Sequence, residues 1–141
     1  MGGLFVDTWG WLALRDKGER RHHETVLAFN GVRTEGGRIV TTDYVLDETA
    51  TLLFRRLTFH KARASLEALL AAVDEGIVTL VEISGVRFRE AVKLRVKFKE
   101  RPEISFTDFT SIVVLRELGL KRVLTEDRHF AQVGLELELI P

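Results

Sequence analysis

Apolar positions along this chain fall into short runs, separated by longer stretches with helical period. Leu4-Phe5-Val6 predicts a buried strand, and Asp7-Thr8 offers a helix cap ahead of Trp9, Trp11, Leu12 and Leu14. Arg15 to His23 is charged, contains Gly18 and reads as a loop. The helix after it should carry Val26, Leu27 and Phe29 inward and end near Gly36-Gly37. Arg38-Ile39-Val40 predicts a second strand. Thr41 or Thr42 can cap a helix whose inward face is Val45, Leu46, Thr49, Leu52, Leu53 and Phe54. Thr58 can cap the next, with Ala62, Leu66, Leu69, Leu70 and Val73 inward and Gly76 as its stop.

Ile77 to Ile83 is rich in β-branched residues and predicts a strand. The signals then conflict. Val92-Lys93-Leu94-Arg95-Val96-Lys97-Phe98-Lys99 alternates strictly, which is a strand pattern, while Phe88, Ala91, Val92, Arg95 and Phe98 form a poorer helical stripe. Local pattern alone favours a strand here. Beyond Pro102, Ser105 or Thr107 caps a helix through Ile112, Val113, Leu115 and Leu118, with Gly119 at its end. Arg122-Val123-Leu124 is a strand, Asp127 to Phe130 a tight helical turn, and Leu135 to Ile140 a last strand. Strands alternating with helices imply an α/β fold with a mainly parallel sheet covered on both faces.

At 141 residues the chain fits one domain, residues 1–141, with enough length for a hydrophobic core. The 21 basic and 21 acidic residues cancel, which argues against coating nucleic acid by net charge but leaves room for a local basic face. The absence of cysteine excludes disulfides and thiolate metal sites. No stretch approaches the ~20 apolar residues of a membrane span, and no signal peptide opens the chain. Both features point to the cytoplasm.

Four acids stand where strands end or on helices beside those ends: Asp7, Glu48, Asp108 and Asp127. Sites in open α/β sheets form at the carboxyl ends of strands. Carboxylates that converge there repel one another unless a cation sits among them, and an all-oxygen set suits Mg²⁺ or Mn²⁺. Each acid also has a plain structural reading. Asp7 and Asp108 can cap helices, Glu48 can be a solvated helix residue, and Asp127 can belong to a turn. One shared site accounts for all four placements together.

These segments resemble the PIN-domain ribonucleases, in particular the VapC-type toxins of toxin–antitoxin pairs. Phe5-Val6-Asp7-Thr8 is similar to the family's opening motif, and Thr42-Asp43-Tyr44-Val45-Leu46-Asp47-Glu48-Thr49 to its second acidic motif. Ile104-Ser105-Phe106-Thr107-Asp108, followed by Ser111, resembles the third, and Thr125-Glu126-Asp127-Arg128-His129-Phe130 the closing one. The resemblance implies a three-layer α/β/α PIN fold with a mainly parallel sheet of four to five strands. It implies Mg²⁺- or Mn²⁺-dependent endoribonuclease activity, homodimerisation and a cognate antitoxin. It assigns both catalysis and metal binding to Asp7, Glu48, Asp108 and Asp127. It also implies a helix at about residues 84–99, against the local strand pattern.

Two residues depart from the family pattern. Trp9 stands where a small residue is common, and Asp47 beside Glu48 leaves two carboxylates for one role, of which Glu48 matches the motif position. Thr8, Ser111 and Thr125 are candidates to support the site by hydrogen bonding, against the simpler reading of caps and a helix hydroxyl. Arg87, Arg89, Lys93, Arg95, Lys97, Lys99 and Arg101 form a basic series that reads either as a phosphate-contacting face or as a solvated helix. His129, near Asp127, is a candidate to touch phosphate against the simpler reading of a surface or packing residue, and the adjacent His22 and His23 read as a poor metal pair. The rival readings are a catalytically silent PIN module that binds RNA or protein, and a PIN nuclease of RNA processing.

Overall fold

The structure is a computed structural model and describes residues 2–141. Its elements run in the order β1 (Leu4–Val6), α1 (Thr8–Arg15), α2 (His22–Thr34), β2 (Ile39–Thr42), α3 (Asp43–Arg56), α4 (Phe59–Asp74), β3 (Val78–Val81), α5 (Gly85–Lys97), α6 (Phe106–Leu118), β4 (Arg122–Leu124) and β5 (Glu138–Ile140). A 3₁₀ turn, Arg128–Gln132, precedes β5. Five parallel strands form one sheet in the order β3-β2-β1-β4-β5, with helices on both faces. Strands are added outward from β1 on one side as β2 and β3, then on the other as β4 and β5. The carboxyl ends of β1 and β4 therefore flank the switch point of the sheet, where crevices open in α/β folds.

Burial follows from that position. β1 is fully buried along its length, and its neighbours contribute Val40, Val123 and Leu124 to the same core. A parallel sheet covered on both faces has no solvent side, so its strands read as continuous apolar runs. α6 is buried from Asp108 through Leu115 on every face, so its apolar run reflects a helix at the centre of the core. Ser105 caps it, and Gly119 ends it in the left-handed conformation at φ 65°. α1 crosses close over the sheet because Gly10 has no side chain: a Cβ there would lie 2.6 Å from the Leu124 carbonyl oxygen. That contact ties the start of α1 to the end of β4.

Residues 85–97 are helical, capped by Ser84, so the local strand pattern fails and the family-based helix holds. The alternation has a physical origin. Ala91 and Leu94 face inward against α6, while Phe88, Val92 and Val96, spaced four apart, form a second apolar stripe left exposed. Two apolar stripes on one helix mimic period two. Three other residues expected inward lie outward: Leu27 on α2, Phe54 on α3 and Leu70 on α4. Thr25 and Val32 take the inward face of α2. β5 is shorter than the expected 135–140, since a tight turn, with the Leu137 N–H donating to the Leu135 carbonyl at 3.0 Å, takes up the residues before it. Among the described residues no helix is long and apolar enough to cross a membrane.

Candidate metal centre

Asp7 occupies the N-cap position of α1, yet its side chain makes no capping bond. Its Oδ2 instead accepts a hydrogen bond from Thr125 Oγ1 at 2.9 Å, across the β1–β4 switch point. Thr125 Oγ1 also accepts from the backbone N–H of Asp127 at 3.0 Å, and the Thr125 N–H donates to the Ile140 carbonyl at 2.9 Å. One buried threonine thus fixes both carboxylate-bearing segments. Asp127 caps the 3₁₀ turn, its Oδ1 accepting from the His129 N–H at 2.8 Å. Phe130, fully buried, anchors that turn in the core. Asp108 is in the first turn of α6, where its N–H donates to Ser105 Oγ at 3.0 Å and its Oδ2 accepts a long bond from the Ser105 N–H at 3.4 Å. Glu48 is on the second turn of α3, and Leu52 and Arg56 follow it at helical spacing.

All four acids line one pocket of about 260 Å³, joined by Thr8, Trp9, Arg56, Glu103 and His129. Asp47 is not part of its lining. Ser111, one turn beyond Asp108, is fully buried behind it and is not a lining residue either. The hydroxyls of Thr8 and Ser111 are buried without a hydrogen-bond partner. Glu103, a fifth acid in the loop before α6, carries no local signal in the sequence.

The pocket resists negative charge. Burial pushes the Asp7 carboxyl up from 3.8 to about 6, the Thr8 backbone N–H and the Thr125 hydroxyl lower it, and Asp127 and Glu48 raise it further. Burial likewise pushes Asp108 up to about 7, with Asp7 and Asp127 adding to the rise. Glu48 is raised by partial burial first and by Asp47 and Asp127 next. A group of carboxyls that cannot comfortably ionise together is the arrangement a divalent cation would stabilise. Among the described residues, Asp108, Asp127 and His129 bring one ligand atom each within 4.8 Å of one another, while Asp7 and Glu48 line the pocket outside that group. The donor chemistry fits a divalent metal.

His129 departs from its expected surface or packing role. Its Nδ1 lies 2.9 Å from Asp127 Oδ1 and 3.8 Å from Asp108 Oδ2. The signal for this in the sequence is its place two residues after Asp127 in a tight turn, which folds the imidazole back over the carboxylate. His22 is engaged elsewhere, its Nδ1 2.6 Å from the Ala13 carbonyl.

The basic series near α5 is largely occupied. Arg87 is bonded to Glu117 at 2.6 Å, and Lys93 to Glu90 at 3.1 Å. Arg95 donates to the carbonyls of Phe98, Arg101 and Ile104 and lies 4.8 Å from the Phe109 ring centroid. Arg56 lines the acidic pocket with no ion-pair partner among the described residues.

Comparison with known proteins gives the family and the fold. The PIN domain family profile matches residues 4–135. The 23S rRNA-specific endonuclease VapC20 of Mycobacterium tuberculosis is 33% identical over 132 residues, covering 93% of this chain and 94% of that protein. A VapC ribonuclease of Archaeoglobus fulgidus is 30% identical, covering 89% of this chain and 74% of that protein. The crystal structure of VapC20, described as a sarcin–ricin loop cleaving toxin, superposes with a TM-score of 0.78 at 30% identity, over 99% of this chain and 100% of that one. DNA-bound VapBC from Salmonella typhimurium, 15% identical with a TM-score of 0.73 over 99% of this chain and 98% of that one, shares the fold. The chain belongs to the PIN-domain family and is homologous to its VapC ribonucleases.

Proposed function

We propose that this chain is a metal-dependent endoribonuclease and the toxin of a toxin–antitoxin pair. The observation that carries the reading is the pair of buried carboxyls, Asp7 and Asp108, pushed to about 6 and about 7 in one pocket with Glu48 and Asp127. A binding module has no use for such mutual repulsion. In this reading Asp7, Glu48, Asp108 and Asp127 hold Mg²⁺ or Mn²⁺. Such an ion, when bound, activates water for attack on a phosphodiester and stabilises the leaving oxygen.

The chain's own residues have distinct tasks. Thr125 locks Asp7 and the Asp127 segment at a fixed spacing, through its bonds of 2.9 and 3.0 Å. The Ser105 cap fixes where Asp108 leaves α6. Thr8, with its unpartnered buried hydroxyl, supplies a donor beside the acids, and Ser111 supports Asp108 from behind. Arg56 meets substrate phosphate, which would otherwise be repelled by the acids. Trp9 narrows the same pocket. Cleavage leaves 5′-phosphate and 3′-hydroxyl ends.

The same reading has residues 1–141 forming a single PIN domain that acts in the cytoplasm as a homodimer. An antitoxin and a second copy would bury the exposed apolar side chains of α5 and of the α3–α4 junction, Val86, Val92, Val96, Phe54 and Phe59 among them. Incubation of the purified chain with 23S rRNA and total RNA tests the central claim. Cleavage should require Mg²⁺ or Mn²⁺, stop with chelator, and fall by about 10²-fold or more in Asp108→Asn. Tight RNA binding with no turnover at any metal concentration would replace this reading with the silent binding module.

A further inference from the structure

We propose that His129 is a nitrogen ligand of the metal centre and sets its preference for Mn²⁺ over Mg²⁺. The inference rests on the metal-centre reading above and deepens it. Nδ1 of His129 is shielded from solvent and makes no hydrogen bond, although two carboxylates stand beside it. Its distance to Asp127 Oδ1 is 2.9 Å, yet the direction of approach does not make a hydrogen bond. An octahedral ion with bonds of about 2.1 Å holds neighbouring donors about 3.0 Å apart. The His129–Asp127 separation matches that spacing, and Asp108 Oδ2, at a wider 3.8 Å from the same nitrogen, is the third donor of the group. Thr8 adds an independent sign of a missing partner: it is 5 % exposed, lines the same pocket, and leaves its hydroxyl unbonded.

The backbone fixes the turn that carries the ring. The His129 N–H donates to Asp127 Oδ1 at 2.8 Å, and the neighbouring Phe130 is fully buried, so the turn cannot swing the imidazole away without unpacking the core. The consequence is chemical. Four carboxylates alone form a hard oxygen site suited to Mg²⁺. One imidazole in the set moves the balance toward transition-series ions, which accept nitrogen donors far better than Mg²⁺ does.

Electron spin-echo spectroscopy of the full chain loaded with Mn²⁺ reads the ligand directly. The expected spectrum carries modulation from a directly coordinated ¹⁴N, lost in His129→Gln. Competition titration should show Mn²⁺ bound at least about 10-fold more tightly than Mg²⁺, with the preference reduced several-fold in the variant. Should His129→Gln fail to fold, a variant with His22, His23 and His60 all changed to Gln serves instead, and it should keep the modulation. A Mn²⁺-loaded chain without ¹⁴N modulation overturns the role of His129, as does modulation that survives in His129→Gln or disappears in the triple variant. If Asp108→Asn still abolishes Mn²⁺ binding in the first of those cases, the carboxylate centre stands without the histidine. Failure of the unmodified chain to bind Mn²⁺ at all overturns both.

Discussion

The acidic crevice between β1 and β4 and the basic series along α5 contain similar numbers of charges and have opposite fates. In the crevice, Asp7, Glu48, Asp108 and Asp127 gather with Arg56 and His129 as the basic residues of the lining, and burial raises three of the four carboxyls. Along α5, Arg87 finds Glu117, Lys93 finds Glu90, and Arg95 satisfies three carbonyls of the loop before α6. Charges that meet partners hold the fold together. Charges collected without such partners leave an unmet demand, which is why the crevice is the candidate functional site.

Substitutions should separate the two regions sharply. Asp7→Asn or Asp108→Asn should lower metal-dependent RNA cleavage by about 10²–10³-fold, since a lost ligand weakens transition-state charge stabilisation worth several kcal/mol. Lys93→Ala, on the basic series, should change the same rate less than about twofold, because a surface pair contributes little. Equal losses in both would break the comparison.

Stability should respond in the opposite sense in the crevice. The Asp7 and Asp108 carboxyls are raised from 3.8 to about 6 and about 7, so the folded chain binds protons that the unfolded chain has already released. Below pH 3.8 both states are protonated and no penalty exists. From there the metal-free fold loses stability as pH rises, and the full penalty is present above pH 7 or so. Asp108→Asn should therefore stabilise the metal-free protein at pH 8, by on the order of 2 kcal/mol, measured by urea unfolding. Added Mn²⁺ should reverse the ranking, stabilising the unmodified chain and not the variant.

Arg95→Ala should destabilise the fold by about 2 kcal/mol at any metal concentration, because it abandons two part-buried carbonyls and one exposed one. Its kcat should stay near that of the unmodified chain. The smallest effect belongs to Arg87→Ala, below about 1 kcal/mol, since its pair with Glu117 is part-exposed.

Much of this contrast is legible in the amino-acid sequence. Strand ends and caps at Asp7, Ser105 and Asp127 follow from local signals, because a cap needs only neighbours within three residues. The parallel sheet follows from the alternation of elements. Three features stay hidden for a common reason: they depend on packing between distant segments. α5 carries one apolar stripe for the core and a second left exposed, and their sum imitates a strand. Glu103 enters the pocket only because the loop before α6 folds over the β1–β4 crevice. Gly10 has its explanation in the approach of α1 to the Leu124 carbonyl, which no local pattern reveals. The choice of Glu48 over Asp47 rests on the motif position, and the pocket lining contains Glu48 alone of the two.

Crystals soaked in Mn²⁺ and measured at its absorption edge test the central claim most directly. The account predicts an anomalous peak in the β1–β4 crevice, within about 2.0–2.6 Å of oxygens from Asp7, Glu48, Asp108 and Asp127 or joined to them through water. At saturating Mn²⁺, a crevice with no peak, or a peak among the charges of α5 instead, would contradict it.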